Sequence, residues 1–89
     1  NHAHDIYLAT YESSFGGEMA VVRWEDGIGI LSLPTMTPQT ILKLRKTGEH
    51  TFRRVRSDEA LGETFVFELG DDGRPARFTW HNNFYRRVR

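Results

Sequence analysis

Residues 18–33 read EMAVVRWEDGIGILSL, and this stretch decides the fold. Two apolar segments, Glu18–Glu25 and Ile28–Leu33, flank the dipeptide Asp26-Gly27. Asp-Gly between two apolar segments is a strong signal for a two-residue β-hairpin, because both central residues of that turn need a positive φ. The stretch therefore predicts an antiparallel pair of strands.

The same pattern continues outward in both directions, as short β-rich segments separated by turn residues, which is typical of all-β folds. No segment keeps a helical period over about ten residues, although one helical turn fits at the N-terminus or near Pro38–Lys43. The eight predicted strands are Ile6–Glu12, Glu18–Glu25, Ile28–Leu33, Ile41–Lys46, Thr51–Arg56, Gly62–Leu69, Pro75–Trp80 and Phe84–Val88. Short connections predict an all-β, eight-stranded antiparallel up-and-down meander, and closure into a barrel removes its two exposed edges.

Two of these strands share an unusual pattern of an aromatic residue, two arginines, a valine and an arginine. Phe52 and Val55, like Tyr85 and Val88, are three residues apart, so a regular strand sends them to opposite faces. A β-bulge inside each strand would restore one apolar face. The alternative is that both faces are partly buried there.

The length of 89 residues predicts one domain, since a chain this short builds a single core. We assign residues 6–89 to that domain and residues 1–5 to a disordered, linker or tag segment. The first residue is Asn1 and not Met, which we interpret as processing or as a piece of a longer chain. There is no cysteine, so packing alone must hold the domain.

The charge balance predicts that neither nucleic acid nor a membrane is a partner. Twelve Lys and Arg face twelve Asp and Glu, whereas binding of a polyanion needs a field of one sign. No apolar run is long enough to span a bilayer. Arginines on the two arginine-rich strands are the counter-argument, but glutamates on other strands can pair with them. The residues concerned are Arg53, Arg54, Arg56, Arg86, Arg87 and Arg89, and the glutamates Glu18, Glu25, Glu63 and Glu68.

Catalytic and metal-binding patterns are weak, so we predict no catalytic residue, no metal and no cofactor. Thr40-Ile-Leu-Lys43 matches the Ser/Thr-x-x-Lys spacing of serine acyl-transferases, but it falls where a strand begins and is best interpreted as chance. A closed metal site needs about four ligands. The histidines are isolated or terminal, and the Asp71-Asp72-Gly73 stretch reads as a turn; the histidines are His2, His4, His50 and His81.

Aromatic side chains and the one proline-rich loop supply the candidate contact residues. Trp24, Phe67, Phe78 and Trp80 could line a ligand pocket or an interdomain contact. Met36 belongs to the Pro34–Thr40 loop, which has two prolines and is the least regular connection. The alternatives are that the aromatic residues simply form the core and that the loop is an ordinary surface turn.

A series of motifs resembles one known family of domains along nearly the whole chain. The motifs are Tyr7-x-x-x-Tyr11-Glu12, Glu18-Met-Ala-Val-Val-x-Trp24, Leu31-Ser-Leu-Pro34-Thr, Gly48-x-His50-Thr-Phe-Arg53, Phe65-Val-Phe-Glu68 and Asp72-Gly73-Arg74-x-x-Arg77-Phe78. Together they resemble the lipocalin-like domain that follows the catalytic domain of β-lactamase-like, penicillin-binding-protein-related serine hydrolases.

The resemblance implies an eight-stranded lipocalin-like barrel without catalytic residues of its own. It also implies that the hydrolase chemistry lies in a preceding domain, and that the barrel packs on that domain or on a neighbouring subunit to shape active-site access or assembly. The Pro34–Thr40 loop and the Trp80–Asn83 corner are the expected contact regions. The alternative function is a stand-alone barrel that binds a small hydrophobic ligand, and a homo-oligomer is a further possible assembly.

Overall fold

A computed structural model describes residues 4–25, 27–33 and 41–89 of the chain. Eight antiparallel strands form a closed up-and-down barrel in which each strand pairs with its neighbours in sequence and β8 pairs with β1. The predicted fold class is therefore confirmed. The strands are β1 (Ala9–Ser13), β2 (Glu18–Trp24), β3 (Gly27–Leu33), β4 (Leu42–Gly48), β5 (Thr51–Val55), β6 (Leu61–Leu69), β7 (Pro75–Trp80) and β8 (Asn83–Arg87).

The hairpin predicted from residues 18–33 is the most regular part of the barrel. Its register runs without a shift from Glu18 opposite Leu33 to Trp24 opposite Gly27. Alternate residues of β2 and β3 face the interior, where Val21, Ile28 and Ile30 are buried.

The first predicted strand begins too early. A short 3-10 helix occupies Asp5–Tyr7, and β1 starts only at Ala9. The helix turns the Tyr7 side chain into the barrel, where it is 2% exposed, and burial of an aromatic ring outweighs continued strand pairing at this end. His4 also packs edge-on against Phe52. Residues 1–3 lie outside the described residues, so the assignment of residues 1–5 to a linker or tag stays a prediction.

The structure places irregularities near the two arginine-rich strands, but not where the sequence predicts them. Between Arg53 and Val55 the register with β6 shifts, and the extra residue lies on β6, not on β5. On β8 the pairing with β1 stays regular through Arg87. Beyond it, the amides of Val88 and Arg89 both donate to the Thr10 carbonyl, which is the hydrogen-bond pattern of a bulge. Val88 stays 37% exposed, so this bulge does not bring it into the core.

The interior of the barrel is filled mainly by aromatic rings. Phe52, Phe65 and Phe78 are fully buried, and their strands are adjacent or share neighbours. Phe65 and Phe67 alternate along β6 and both face the interior, whereas Leu69 is 39% exposed. Leu69 is the last residue of β6 and lies at a register shift whose extra residue is on β7.

Candidate functional site

Two of the predicted site residues, Phe67 and Phe78, are core residues. Phe67 is 2% exposed and its ring lies 4.7 Å from that of Tyr7 and 5.9 Å from that of Tyr11, centroid to centroid. Phe78 is 0% exposed and stacks on Tyr85 at 4.8 Å and 9°. These rings occupy the space in which a lipocalin-like barrel of eight strands would hold a small ligand.

Trp80 closes one end of this aromatic core. Its ring stacks on Phe65 at 5.0 Å, and the rings of His81 and Tyr85 lie 5.0 Å and 5.9 Å away. The indole is half-buried, and its Nε1 is buried without a hydrogen-bond partner among the described residues. A buried donor without a partner costs free energy, so this corner of the barrel is a candidate contact region.

Beside Trp80, a single carboxylate is surrounded by basic groups. Glu63 Oε2 lies 3.5 Å from Arg54 Nη1 and 3.7 Å from His81 Nε2. The pKa of Glu63 is lowered, first by a hydrogen bond from its own backbone amide and then by the charges of Arg54, Arg56 and His81. Glu63 is thus held as a carboxylate, which suits it to ion pairing and not to general acid chemistry.

Trp24 lies at the opposite end of the barrel from Trp80. Trp24 ends β2, whereas Trp80 ends β7, and even- and odd-numbered strands of this meander run in opposite directions. The structure therefore does not bring the two tryptophans into one site. Trp24 instead borders an open groove of about 880 Å³ on the wall formed by β3, β4 and β5.

Gly29 lies close to two apolar residues of this groove. A Cβ at Gly29 would lie 2.7 Å from Ile41 Cγ2 and 3.3 Å from Trp24 Cβ, so both side chains approach the outer face of β3 because residue 29 is glycine. Trp24 Nε1 is also buried without a partner among the described residues. The result is an apolar floor formed by Trp24 and Ile41.

Basic side chains form the walls of the groove, which we call the basic groove. Two carboxylates, Glu25 and Glu59, also line it. Its basic residues are Lys43, Arg45, Lys46, Arg54 and Arg56. Of these, Arg54 pairs with Glu63, and within the described part of the chain no carboxylate forms an ion pair with Lys43, Arg45 or Lys46.

Five arginines elsewhere on the barrel each form an ion pair with a neighbouring carboxylate. The pairs are Arg23–Asp5 at 2.6 Å, Arg77–Glu68 at 3.0 Å, Arg86–Glu12 at 3.1 Å, Arg87–Asp72 at 3.4 Å and Arg89–Glu18 at 2.8 Å. The predicted pairing of Glu18 and Glu63 with arginines of other strands is confirmed. Arg53 differs, because its guanidinium donates to the carbonyls of Gly62 and Leu61 at 3.0 Å and 3.4 Å.

The basic groove is a feature that the sequence interpretation missed. Residues 41–56 contain six Lys and Arg but one Glu, a net charge of +5 in a chain whose total is zero. A count of charge along the chain would have found this excess, which the overall balance conceals. Met36 and the rest of the Pro34–Thr40 loop lie outside the described residues, so their predicted contact role stays a prediction.

The described residues offer little for catalysis or metal binding. Thr40 is not described, and Lys43 is an exposed residue of β4. His50 accepts or donates a 2.8 Å hydrogen bond at Nδ1 with the Tyr7 hydroxyl, which gives it a structural role at the barrel end. In residues 4–25, 27–33 and 41–89 no three His, Asp or Glu side chains converge as metal ligands. In the same residues no helix has the length and apolarity required to cross a membrane.

Comparison of the chain with protein-family models, curated proteins and solved structures finds no match in any of the three.

Proposed function

We propose that the chain is a non-catalytic accessory domain that acts by docking its outer surface on another protein. The partner we infer is the catalytic domain of a β-lactamase-like serine hydrolase, or a neighbouring subunit of such an enzyme. The observation that carries the proposal is the filled interior, in which Phe67 and Phe78 are buried among other rings. Because buried aromatic rings occupy the middle of the barrel, we expect binding through its surface, and the motif resemblance supports the choice of partner.

The test is removal of residues 6–89 from the full-length hydrolase, followed by assays of ester and amide hydrolysis, thermal stability and oligomeric state. We expect at least one of the three to change, because the domain contributes a contact. Addition of the separate barrel in trans is the control, and it should restore part of the lost property. Unchanged hydrolysis, stability and oligomeric state would contradict the proposal.

The second candidate is a stand-alone barrel that binds a small hydrophobic ligand, and the apolar floor of Trp24 and Ile41 favours it. Titration with fatty acids or hydrophobic dyes, monitored by tryptophan fluorescence, separates the two candidates. A saturable change that is lost in a Trp24→Phe variant but kept in Trp80→Phe would support binding in the groove. Absence of a saturable change supports the accessory domain.

A further inference from the structure

The strongest unassigned feature of the molecule is the uncompensated charge of the basic groove. Lys43 and Arg45 project from the same face of β4, and side chains two apart on a strand are separated by about 7 Å. Neither forms an ion pair with a carboxylate of the described chain, although five arginines elsewhere do. The chain thus leaves its positive charge concentrated on one wall.

A like-charge pair within this wall is a second, independent observation. Arg45 lies directly opposite Arg53 on the neighbouring strand. Like charges directly opposite each other in an antiparallel pair destabilise a sheet. The Arg53 guanidinium turns towards β6 and bonds to backbone carbonyls, and Arg45 is exposed with no ion-pair partner among the described residues. An anionic group bound above β4 would remove this repulsion.

The ends and floor of the groove restrict what can bind. Glu25 and Glu59 also line it, so negative charge on a ligand is favourable only away from these two carboxylates. Between them, Trp24 and Ile41 offer apolar surface beside Lys43. The groove therefore fits an elongated ligand that alternates acidic and apolar groups.

We propose that the basic groove binds an acidic, extended polypeptide segment whose carboxylates lie on alternate residues. An extended chain repeats its side chains every about 7 Å on one face, which matches the spacing of Lys43 and Arg45. An apolar side chain beyond these carboxylates on the same face would contact Trp24 and Ile41. This inference rests on the proposed function, because it names the surface and the partner chemistry through which an accessory domain would dock.

A nucleic acid fits the groove less well than an acidic peptide. A phosphate backbone is continuously charged and would meet Glu25 and Glu59. Sequence-independent binding of single strands also uses exposed aromatic rings for base stacking. The most exposed aromatic side chain, Phe15 at 82%, is on the β1–β2 turn, and Phe84 is covered by Arg77 at 4.0 Å.

The experiment measures binding of a fluorescein-labelled peptide of alternating Glu and Val residues to the 89-residue chain by fluorescence anisotropy at low and high salt. The groove variant carries Lys43→Thr, Arg45→Thr and Lys46→Thr, since threonine suits exposed strand positions. The matched control variant carries Arg74→Thr, Arg77→Thr and Arg86→Thr, which removes the same charge from other parts of the surface. Circular dichroism and thermal melting establish that both variants are folded.

We expect the peptide to bind the wild-type chain, with affinity that falls as salt rises. The groove variant should bind at least about tenfold more weakly, whereas the control should stay within about twofold, since each exposed ion pair contributes up to about 1 kcal/mol. Equal loss in both variants would overturn the proposal, as would no binding at low salt. Tighter binding of an oligothymidylate than of the peptide would also overturn it, in favour of a nucleic-acid surface.

The failure of this proposal can be told apart from failure of the accessory function. If the peptide binds the wild-type groove but removal of the domain does not affect the hydrolase, the groove remains a peptide-binding site and the hydrolase is rejected as the partner. If removal of the domain affects the full-length enzyme but the groove variant does not, the accessory function is supported. This result would also show that docking uses another face, and so overturn the groove.

Discussion

Phe67 is the ring around which the interior is organised. Its centroid lies within 6 Å of the rings of Tyr7, Tyr11, Phe52 and Phe78, at 4.7, 5.9, 5.6 and 5.3 Å. Edge-to-face and tilted contacts of this kind add to the free energy gained by burial of the ring area. The residue therefore stabilises the domain by linking β6 to the N-terminal helix and to three other strands.

Truncation of this ring should be among the most costly substitutions in the chain. We expect Phe67→Ala to lower the free energy of unfolding by about 3–5 kcal/mol, because it leaves a cavity among rings that have no room to move inward. Chemical denaturation monitored by tryptophan fluorescence measures the change. The control is Phe15→Ala, which removes an 82% exposed ring and should change stability by less than about 0.5 kcal/mol. Similar costs for the two variants would contradict the filled interior.

At the scale of single residues, burial was only partly predictable. The choice between core and pocket for Phe67, Phe78 and Trp24 stays open in the sequence, because an aromatic residue on an alternating strand suits either role. The structure separates them by register. Phe67 and Phe78 lie directly opposite each other in mid-strand, whereas Trp24 is at the end of β2. Register depends on where bulges fall, and side-chain pattern alone does not locate them.

The outer face of β3 has room only for glycine at position 29. Gly29 lies beneath Trp24 and Ile41, with 2.7 Å from a built Cβ to Ile41 Cγ2. We expect Gly29→Val to lower stability by about 1–3 kcal/mol, because Ile41 must move off the sheet. Thermal or urea unfolding tests this expectation. Gly17→Ala is the control, since its Cβ would meet only Ser13 Oγ at 3.9 Å; an equal loss in both variants would show that the packing of Ile41 over Gly29 has no energetic role.

The pairing of β4 with β5 predicts a substitution that stabilises the fold. Arg45→Glu would place a carboxylate opposite Arg53, replacing repulsion by attraction, and should raise the free energy of unfolding by about 0.2–1 kcal/mol. The same variant should weaken binding of the acidic peptide, as expected where a binding surface is kept at the expense of stability.

Arg77→Glu is the matched control for this prediction, with the same change in net charge. It also places a carboxylate opposite Arg86, but it replaces the 3.0 Å ion pair with Glu68 by a repulsion and removes the contact with Phe84, so it should lower stability. Urea midpoints of the two variants at low salt give the comparison. A lower stability for Arg45→Glu than for the wild-type chain would mean that the like-charge pair is not a source of strain.

The positions of the strands were predicted well beside a strong turn signal, and poorly where packing in the barrel interior determines where a strand begins. The Asp26-Gly27 signal locates the hairpin, but the turn begins one residue earlier, because Glu25 has a φ of 52° and Gly27 already pairs with Trp24 as the first residue of β3. At the N-terminus, alternation favours a strand from Ile6, whereas the alternative of one helical turn is the one confirmed: residues 5–7 form a 3-10 helix, and Tyr7 fills the end of the barrel. That preference comes from the shape of the closed barrel, which local sequence does not contain.

All three tyrosines hold their hydroxyl protons more tightly in the folded chain than tyrosine does in water. Burial raises the pKa of Tyr7, Tyr11 and Tyr85 above the model-compound value of 10.0, and the Tyr11 hydroxyl also donates a 3.0 Å hydrogen bond to the Tyr7 carbonyl. A group whose pKa is raised on folding binds its proton more tightly in the folded state. Its stabilising contribution is complete below the unfolded pKa and is lost as pH rises above it.

We therefore expect the free energy of unfolding to be insensitive to these tyrosines at neutral pH and to fall as the pH rises above about 10. Urea denaturation at a series of pH values, with phenolate absorbance followed in parallel, measures the fall. Tyr11→Phe should make the decline shallower, because it removes a buried phenol. A constant free energy of unfolding across this range would contradict the burial of the phenols.

Overall architecture was the most predictable property, and overall charge the most misleading. Eight strands with short connections allow few arrangements, so closure follows from the need to pair the edge strands. The net charge of a chain does not tell where its charged residues lie. The positive charge in excess on residues 41–56 is cancelled in the sum by negative charge on the rest of the chain, yet the two lie on different parts of the barrel.

The seam where β8 meets β1 has a mechanical consequence. Thr10 bonds to Val88 and Arg89, so the start of the first strand and the end of the last lie side by side at one end of the barrel. Tension applied between the two termini would load these hydrogen bonds one after another, as in opening a zipper, and not all at once in shear. The barrel should accordingly unfold at a lower force when it is pulled from its two ends than when it is pulled so that β1 and β8 slide past each other.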